Sequence, residues 1–396
     1  MVLDQSRNRP YLQRQSFTAH TRALIYFDHN ATHPLLPSAR DAWLDATDRY
    51  IGNPSSPHRL GDRADRALSA AREELSTVLG CSAHEIVWTS GATEANNTAI
   101  AHLAATQAGV ALVSAVEHPS VLAASRRYFS DRYELIPVSA SGEIDLDWLK
   151  SAFERMEVGC VIIMAANNET GVIQPFPQVL QACRERKLPY LCDATQWVGR
   201  LSSERLGELP IVTGSAHKFG GPIGVGFLKC PYALRPLIVG GPQEEGRRAG
   251  TENVPGVLSM LAALRTCVEQ TGQPHFLEER IRIRESFEAE LKRLVTGVTI
   301  VGSGSQRLWN TSSVIMAPAR DCRQRWVVKL DRLGFAVSTG SACSSGKEQA
   351  SHVLQAMGLP NDEAGRALRF SAGINTTESE WQALLKGLCQ AVNELT

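Results

Sequence analysis

The sequence predicts an α/β fold with a parallel sheet, joined to a second, smaller α+β domain. Three observations carry this. Short apolar runs alternate with longer amphipathic stretches through the first two thirds of the chain. The polar signatures SGATEANN, AANNETG and DATQ each follow an apolar run, where ligands sit in open α/β sheets. After about Met260 the pattern changes to long charged helices with short strand candidates between them.

Taken in order, residues 85–89, 111–115, 161–165 and 190–192 read as strands with helical patterns between them. A helix is expected over 278–295 and strands over 311–316 and 335–338. A chain of 396 residues exceeds one ordinary core, so the division expected is a large domain over 24–268 and a C-terminal domain over 269–396. Residues 1–23 form an N-terminal arm carrying Arg7, Arg9, Arg14 and Arg22 against Asp4, read as a frayed terminus, with an organellar targeting segment as the alternative. No internal repeat or low-complexity segment interrupts the pattern.

Lys plus Arg and Asp plus Glu both count 41, so no net field favours nucleic acid or an anionic membrane surface, and neither partner is expected. No apolar run approaches the roughly 20 residues of a membrane span. The nine cysteines are scattered, without metal-binding or disulfide-scaffold spacing, which points to no metal and to a reducing cytoplasm.

Four segments carry candidate chemistry. Lys218 in IVTGSAHKFGGP follows an apolar strand and a Gly/Ser turn, a setting for a Schiff-base lysine as well as for an ordinary solvated one. Asp193 in YLCDATQW ends an apolar strand; it either pairs with a cation such as a protonated ring nitrogen, with Gln196 reaching a ring oxygen, or caps a following helix. Ser90, Gly91, Ala92 and Thr93 open a helix after a strand and offer N–H groups and a hydroxyl to a phosphate, although a plain helix cap looks the same. His118 in VEHPSVL sits at another strand end, biased by Pro119 toward an extended backbone that faces a pocket, with a structural histidine as the alternative.

SGATEANN, EHPSVL, NNETGVIQP, DATQ, SAHKFGGP, GRRAGTEN, STGSACSSG and LRFSAG, in that order, resemble the NifS/IscS-like cysteine desulfurases of the class V aminotransferase family. The similarity runs from YFDHNAT to LRFSAG. It implies the pyridoxal-phosphate-dependent transferase fold type I, whose large domain has a mainly parallel, mixed sheet sandwiched by helices. It also implies the cofactor pyridoxal 5'-phosphate, bound covalently by Lys218 and contacted by Asp193 at the ring nitrogen and Gln196 at the phenolic oxygen. By the same resemblance His118 stacks on the ring and shuttles protons, while Ala92, Thr93, Ser215 and His217 hold the phosphate. Thr251 matches a phosphate ligand given across a homodimer interface. Arg369, in LRFS, matches the arginine that grips the substrate carboxylate, with Asn168 beside cofactor and substrate and Asn30 in the same corner.

Cys343 lies among small residues in STGSACSSGK, a setting for an exposed, reactive cysteine. The resemblance makes it the nucleophile that takes sulfur from L-cysteine as a persulfide, releases alanine, and hands the sulfur to an acceptor protein in iron–sulfur assembly or thiolation. Four positions depart from the common wording: His33, Ile223, Pro242 and Glu245. The short stretch after Arg369 leaves delivery to an iron–sulfur scaffold open. A selenocysteine lyase or another class V β-eliminating enzyme shares the cofactor residues without requiring Cys343. A non-catalytic sulfur-relay protein is the reading from another class.

Overall fold

The computed structural model describes residues 24–231, 233–318, 323–339 and 351–395. The first described strand, β1 (Ile25–Tyr26), leads into α1 (Pro37–Arg49) and α2 (Arg59–Leu79). On α2, Ala64, Leu68, Ala71, Leu75 and Leu79 are buried at helical spacing. The His58 ring accepts from Gly61 N–H at its start, and Gly80 ends it in the left-handed conformation that costs glycine nothing.

Strands and helices then alternate: β2 (Ile86–Thr89), α3 (Ala92–Thr106), β3 (Val110–Ser114), α4 (Pro119–Phe129), β4 (Tyr133–Ile136), α5 (Leu146–Arg155), β5 (Val158–Ile162), α6 (Phe176–Arg186), β6 (Tyr190–Asp193), β7 (Ile211–Ser215) and β8 (Gly226–Lys229). The C-terminal part holds α7 (Val254–Thr271), α8 (Phe276–Leu294), β9 (Thr299–Ile300), β10 (Thr311–Ile315), α9 (Arg323–Arg332), β11 (Phe335–Ala336), α10 (His352–Ala356), α11 (Asn361–Ala364), β12 (Ala367–Ser371) and α12 (Glu378–Leu395). The six strand candidates correspond to β2, β3, β5, β6, β10 and β11, and the expected helix to α8. The last candidate shortens because Ser338 meets Arg369 only as an isolated bridge.

Seven strands make one sheet in the order β2-β8-β7-β6-β5-β3-β4. All run parallel except β8, which is antiparallel to both β2 and β7. The reversal follows from the connection. Between Ser215 and Gly226 the described helical structure is one 3₁₀ turn, Ala216–Lys218, too short for the crossover a parallel return requires. A three-stranded antiparallel sheet, β12-β10-β9, and the parallel pair β1-β11 complete the strands.

Both faces of the large sheet are buried, and alternation along each strand divides them. Val87, Ala111, Val113, Cys160, Ile162, Leu191, Ile211 and Leu228 join α3 and α4 in one apolar cluster. Their neighbours Trp88, Leu112, Val161, Cys192, Val212 and Phe227 join α2, α6 and α7 in another. No helix among the described residues is long and apolar enough to cross a membrane. The seven described cysteines are free.

The segment after β1 meets α12 through aromatic packing. Trp381 of α12 lies 4.8 Å from Phe27 and 4.7 Å from Phe287 between ring centroids, and all three are buried. Truncating Trp381 to alanine therefore opens a cavity under α12, and urea unfolding followed by circular dichroism is expected to show a loss of about 3–5 kcal/mol.

Candidate active site

Side-chain parity on two neighbouring strands builds the first half of the site. Leu191 and Ile211 face the α3 side, so Asp193, Thr213 and Ser215, two or four residues on, face it as well. Asn96 on the inner side of α3 meets them. Its Nδ2 donates to Asp193 Oδ2 at 2.9 Å, and its Oδ1 accepts from Thr213 Oγ1 at 2.7 Å. Asp193 Oδ1 accepts from Thr195 N–H at 2.9 Å. Residues 195–200 form turns rather than an α-helix, so the carboxylate closes a turn and the helix-cap alternative falls away.

His118 precedes Pro119 with an extended backbone, φ −60° and ψ 146°, as the sequence predicts. It is also the N-cap of α4. Its Nδ1 accepts from Ser120 N–H at 3.1 Å and lies 2.8 Å from Ser120 Oγ. Burial, then the charge of Lys218 and His352, lowers its pKa against the opposing pull of Asp193. Behind it Glu117 is fully buried, with Oε1 accepting from Met164 N–H at 2.7 Å and Oε2 without a partner. Burial drives its pKa well upward, so this carboxyl is held neutral.

Lys218 ends the 3₁₀ turn after β7, and its Nζ donates to the carbonyls of Asn30 at 2.9 Å and Ala31 at 2.7 Å. Burial first, then the cations Arg369 and Arg200, push its pKa down to about 8. Arg200 is buried; its guanidinium donates to the carbonyls of Gln196 at 2.9 Å and Lys218 at 3.1 Å. His217, next to Lys218, lies 3.1 Å through Nδ1 from Thr32 Oγ1, and burial lowers its pKa to about 4. The departure His33 sits alongside: its N–H donates to His217 O at 2.7 Å, and its ring meets His29 edge-on at 4.7 Å.

The N-terminus of α3 points at the same place. Gly91 is its N-cap with no side-chain hydrogen bond, and a side chain built there would come within 3.5 Å of Ser215 Oγ. Ala92 and Thr93 begin the helix, whose first N–H groups have no partner within it. Glu94 accepts from Ser90 N–H and pairs in a fork with Arg248, Nε to Oε1 at 2.9 Å and Nη2 to Oε2 at 3.2 Å. That pair ties the 240–253 loop, which carries exposed Thr251, to the helix start. Glu245 in this loop takes φ 59° and is exposed, and Ile223 is 77% exposed.

Arg369 on β12 is buried; its Nη2 pairs with Asp28 Oδ1 at 2.6 Å and its Nη1 donates to Asn168 O at 2.9 Å. Asn168 also accepts through its carbonyl from Asn30 Nδ2 at 3.1 Å. Asn30 is a joint between segments: Nδ2 reaches Thr311 Oγ1, Oδ1 accepts from Asn310 Nδ2, and its carbonyl accepts from Gln196 Nε2 at 3.0 Å as well as from Lys218. Ser338 exchanges backbone bonds with Arg369; further along, Ser351 Oγ donates to Glu169 Oε2 at 2.6 Å and His352 Nε2 to Glu117 O at 2.8 Å. Cys343 lies between these, outside the described residues.

The donor set fits an aromatic cofactor bearing a phosphate. It comprises a lysine amine of low proton affinity, a buried carboxylate for a ring cation, and the N-terminus of α3 facing Ser215. Gln196, 4% exposed, leaves its Oε1 without a partner, as a wall awaiting a polar group does. Among the described residues no group of three or more His, Cys, Asp or Glu is placed to hold a metal ion.

Five residues of this site escape sequence reasoning: Asp28, Asn96, Ser120, Arg200 and Glu117. The signal for Asn96 was its place one turn after Thr93, on the face a helix turns toward its sheet. Nothing local marks Arg200 or Glu117, whose burial only the assembled fold creates. In apo protein, amine-directed labelling of Lys218 is expected to be half-maximal near pH 8, against about 10.4 for an ordinary lysine. Arg200→Met removes one neighbouring cation and is expected to move that midpoint upward, read by peptide mass spectrometry across pH.

The family model Aminotransferase class-V matches residues 25–384. A cysteine desulfurase of Nostoc sp. is 34% identical over 380 residues, covering 94% of each chain. A solved structure described as a NifS-like protein is 31% identical with a TM-score of 0.85, covering 94% of this chain and all of its own. Another, SspA in complex with cysteine, is 27% identical with a TM-score of 0.75 over 89% of this chain. The chain belongs to the class-V aminotransferase family, among the cysteine desulfurases.

Proposed function

We propose that this cysteine desulfurase takes sulfur from L-cysteine with pyridoxal 5'-phosphate held on Lys218, leaves it as a persulfide on Cys343, and releases alanine. The observation that carries the reading is the convergence of His118, Asp193 and Lys218, beyond the carboxyl ends of β3, β6 and β7, with Arg369 on β12.

When bound, pyridoxal 5'-phosphate supplies an electron sink for charge developing at the substrate Cα. Lys218 Nζ would hold it covalently, Asp193 its ring nitrogen and Gln196 its phenolic oxygen. Ala92, Thr93, Ser215 and His217 would take its phosphate. Arg369 orients the substrate by gripping its carboxylate, a task for which a planar fork suits arginine. Asp28 and the Asn168 carbonyl hold that fork in place. Lys218 Nζ, once released, takes the Cα proton; its lowered proton affinity keeps a sizeable fraction neutral near pH 7 to 8. The Cys343 thiolate then attacks the substrate sulfur: an S–S bond forms, the C–S bond breaks with its electron pair left on the carbon fragment, and that fragment takes one proton at Cβ, recovers one at Cα from Lys218, and leaves as alanine. Ser338 and Ser351, on either side of the stretch that carries Cys343, are tied to Arg369 and Glu169, which supports its delivery to this site.

A homodimer accounts for Thr251, exposed on the 240–253 loop, which is preceded by exposed Leu237, Ile238 and Val239, the last 76% exposed. An apolar loop beside a site is suited to a second copy that completes it. We place the enzyme in the cytoplasm, where scattered reduced cysteines are stable, with a sulfur-acceptor protein receiving the persulfide.

Lys218→Ala is expected to abolish turnover and the visible absorbance of the cofactor, whereas Cys343→Ser keeps the absorbance but forms no persulfide. Cysteine-dependent sulfide production undiminished in Cys343→Ser would refute the assigned nucleophile. Arg369→Met is expected to lower kcat/KM for L-cysteine roughly tenfold to a hundredfold, mostly through KM, in steady-state assays. Sedimentation of the active enzyme is expected to give a dimer, and full activity in a monomer would remove Thr251 from the site.

A further inference from the structure

The hydrogen bonds behind His118 run in one direction. A backbone amide can only donate, so the Ser120 N–H directed at His118 Nδ1, 3.1 Å away, makes that nitrogen an acceptor. The one proton of the neutral imidazole then resides on Nε2. Ser120 Oγ, 2.8 Å from the same Nδ1, receives a hydrogen from Asn96 Nδ2 at 3.1 Å, which leaves its own hydroxyl hydrogen for the ring. The orientation of Asn96 is fixed in turn. Its amide donates to the Asp193 carboxylate and its carbonyl accepts from Thr213, and a flipped amide would set oxygen against oxygen at Asp193.

We propose that Ser120, aligned by Asn96, is a positioning residue that holds His118 as the neutral Nε2–H tautomer, so that His118 serves the reaction as a hydrogen-bond donor through Nε2. This rests on the reading of His118 as part of the desulfurase site. Protonation at Nδ1 sets a new N–H against the Ser120 amide and against the positive end of α4, which His118 caps. A neutral imidazole held at a helix N-terminus polarises a reacting group without becoming a cation. The charged groups that face the ring are Asp193 from β6, Lys218 from the turn after β7 and His352 from α10; the Asp193 carboxylate alone favours the cation, and Asn96 already engages it. Lone-pair basicity is therefore turned away from the substrate, and the base that receives the Cα proton is Lys218.

The experiment uses the full chain labelled with ¹⁵N-histidine, with and without cofactor, and reads the ring nitrogens of His118 by two-bond ¹⁵N–¹H correlation, assigned by the signal lost in His118→Gln. The expected result is the Nε2–H pattern at neutral pH, retained at pH values where an ordinary histidine is already protonated. Ser120→Ala is expected to raise the pH at which His118 titrates by about half to one unit, the equivalent of one lost hydrogen bond, and to shift the acidic limb of kcat/KM equally. Ser120→Thr, which retains the hydroxyl, is expected to restore both. A Nδ1–H pattern, titration of wild-type His118 at the ordinary pH near 6.5, or a Ser120→Ala enzyme with unchanged tautomer and pH profile overturns the proposal. The tautomer is read without turnover, so it stands or falls separately from the desulfurase reading. Turnover of cysteine together with a failed tautomer result removes this inference alone.

Discussion

The site is organised around a carboxylate enclosed by the protein and satisfied by hydrogen bonds. Asp193 ends a fully buried strand, where an unsolvated anion is costly. Asn96 and the Thr195 amide replace its water, and Asn96, which also accepts from Thr213, ties α3 to β6 and β7. The same asparagine aligns Ser120 and, through it, His118. Anything that displaced Asp193 would loosen α3, and with it the helix start that faces Ser215.

A second constraint is an excess of positive charge. Lys218 feels Arg369 and Arg200 on one side and Asp193 and Asp28 on the other, with burial strengthening every pair. The surplus cation would suit the phosphate of the proposed cofactor and the carboxylate of the proposed substrate, both anions. It also explains why neutral histidines gather there. His29, with a pKa of about 3, His33 and His217 surround the Lys218 corner without adding charge, because burial and Arg200 disfavour their protonated forms. The histidine at position 33 is thus compatible with the electrostatics of the site, whereas another permanent cation would compete with Lys218.

Asp28 and Arg369 illustrate how the two parts of the chain depend on each other. Asp28 follows β1, which pairs with β11, and its backbone bridges to Ser371 at the end of β12. The N-terminal segment is thereby laid along the C-terminal strands, where it holds the arginine fork and offers the carbonyls of Asn30 and Ala31 to Lys218. Residues about 340 positions apart in sequence become neighbours in one corner.

Periodicity made the rhythm of strand and helix legible, and the polar runs at strand ends located the site on the sheet. Motif wording singled out Lys218, Asp193, His118 and Arg369, which the fold brings into one corner. The antiparallel course of β8 was not legible, since it depends on a connection too short for a crossover helix and not on the strand's own pattern. Arg200, Glu117 and the link from Asn96 to Ser120 were not legible either: each depends on a partner brought close only by packing, and burial, which shifts the proton affinities of Arg200 and Glu117, is a property of the assembled fold. The sequence by itself determined which chemical groups are available and the strand ends that carry them. Their tautomers, charge states and pairings were decided by the tertiary structure, because hydrogen-bond direction and desolvation exist only once distant segments enclose one another.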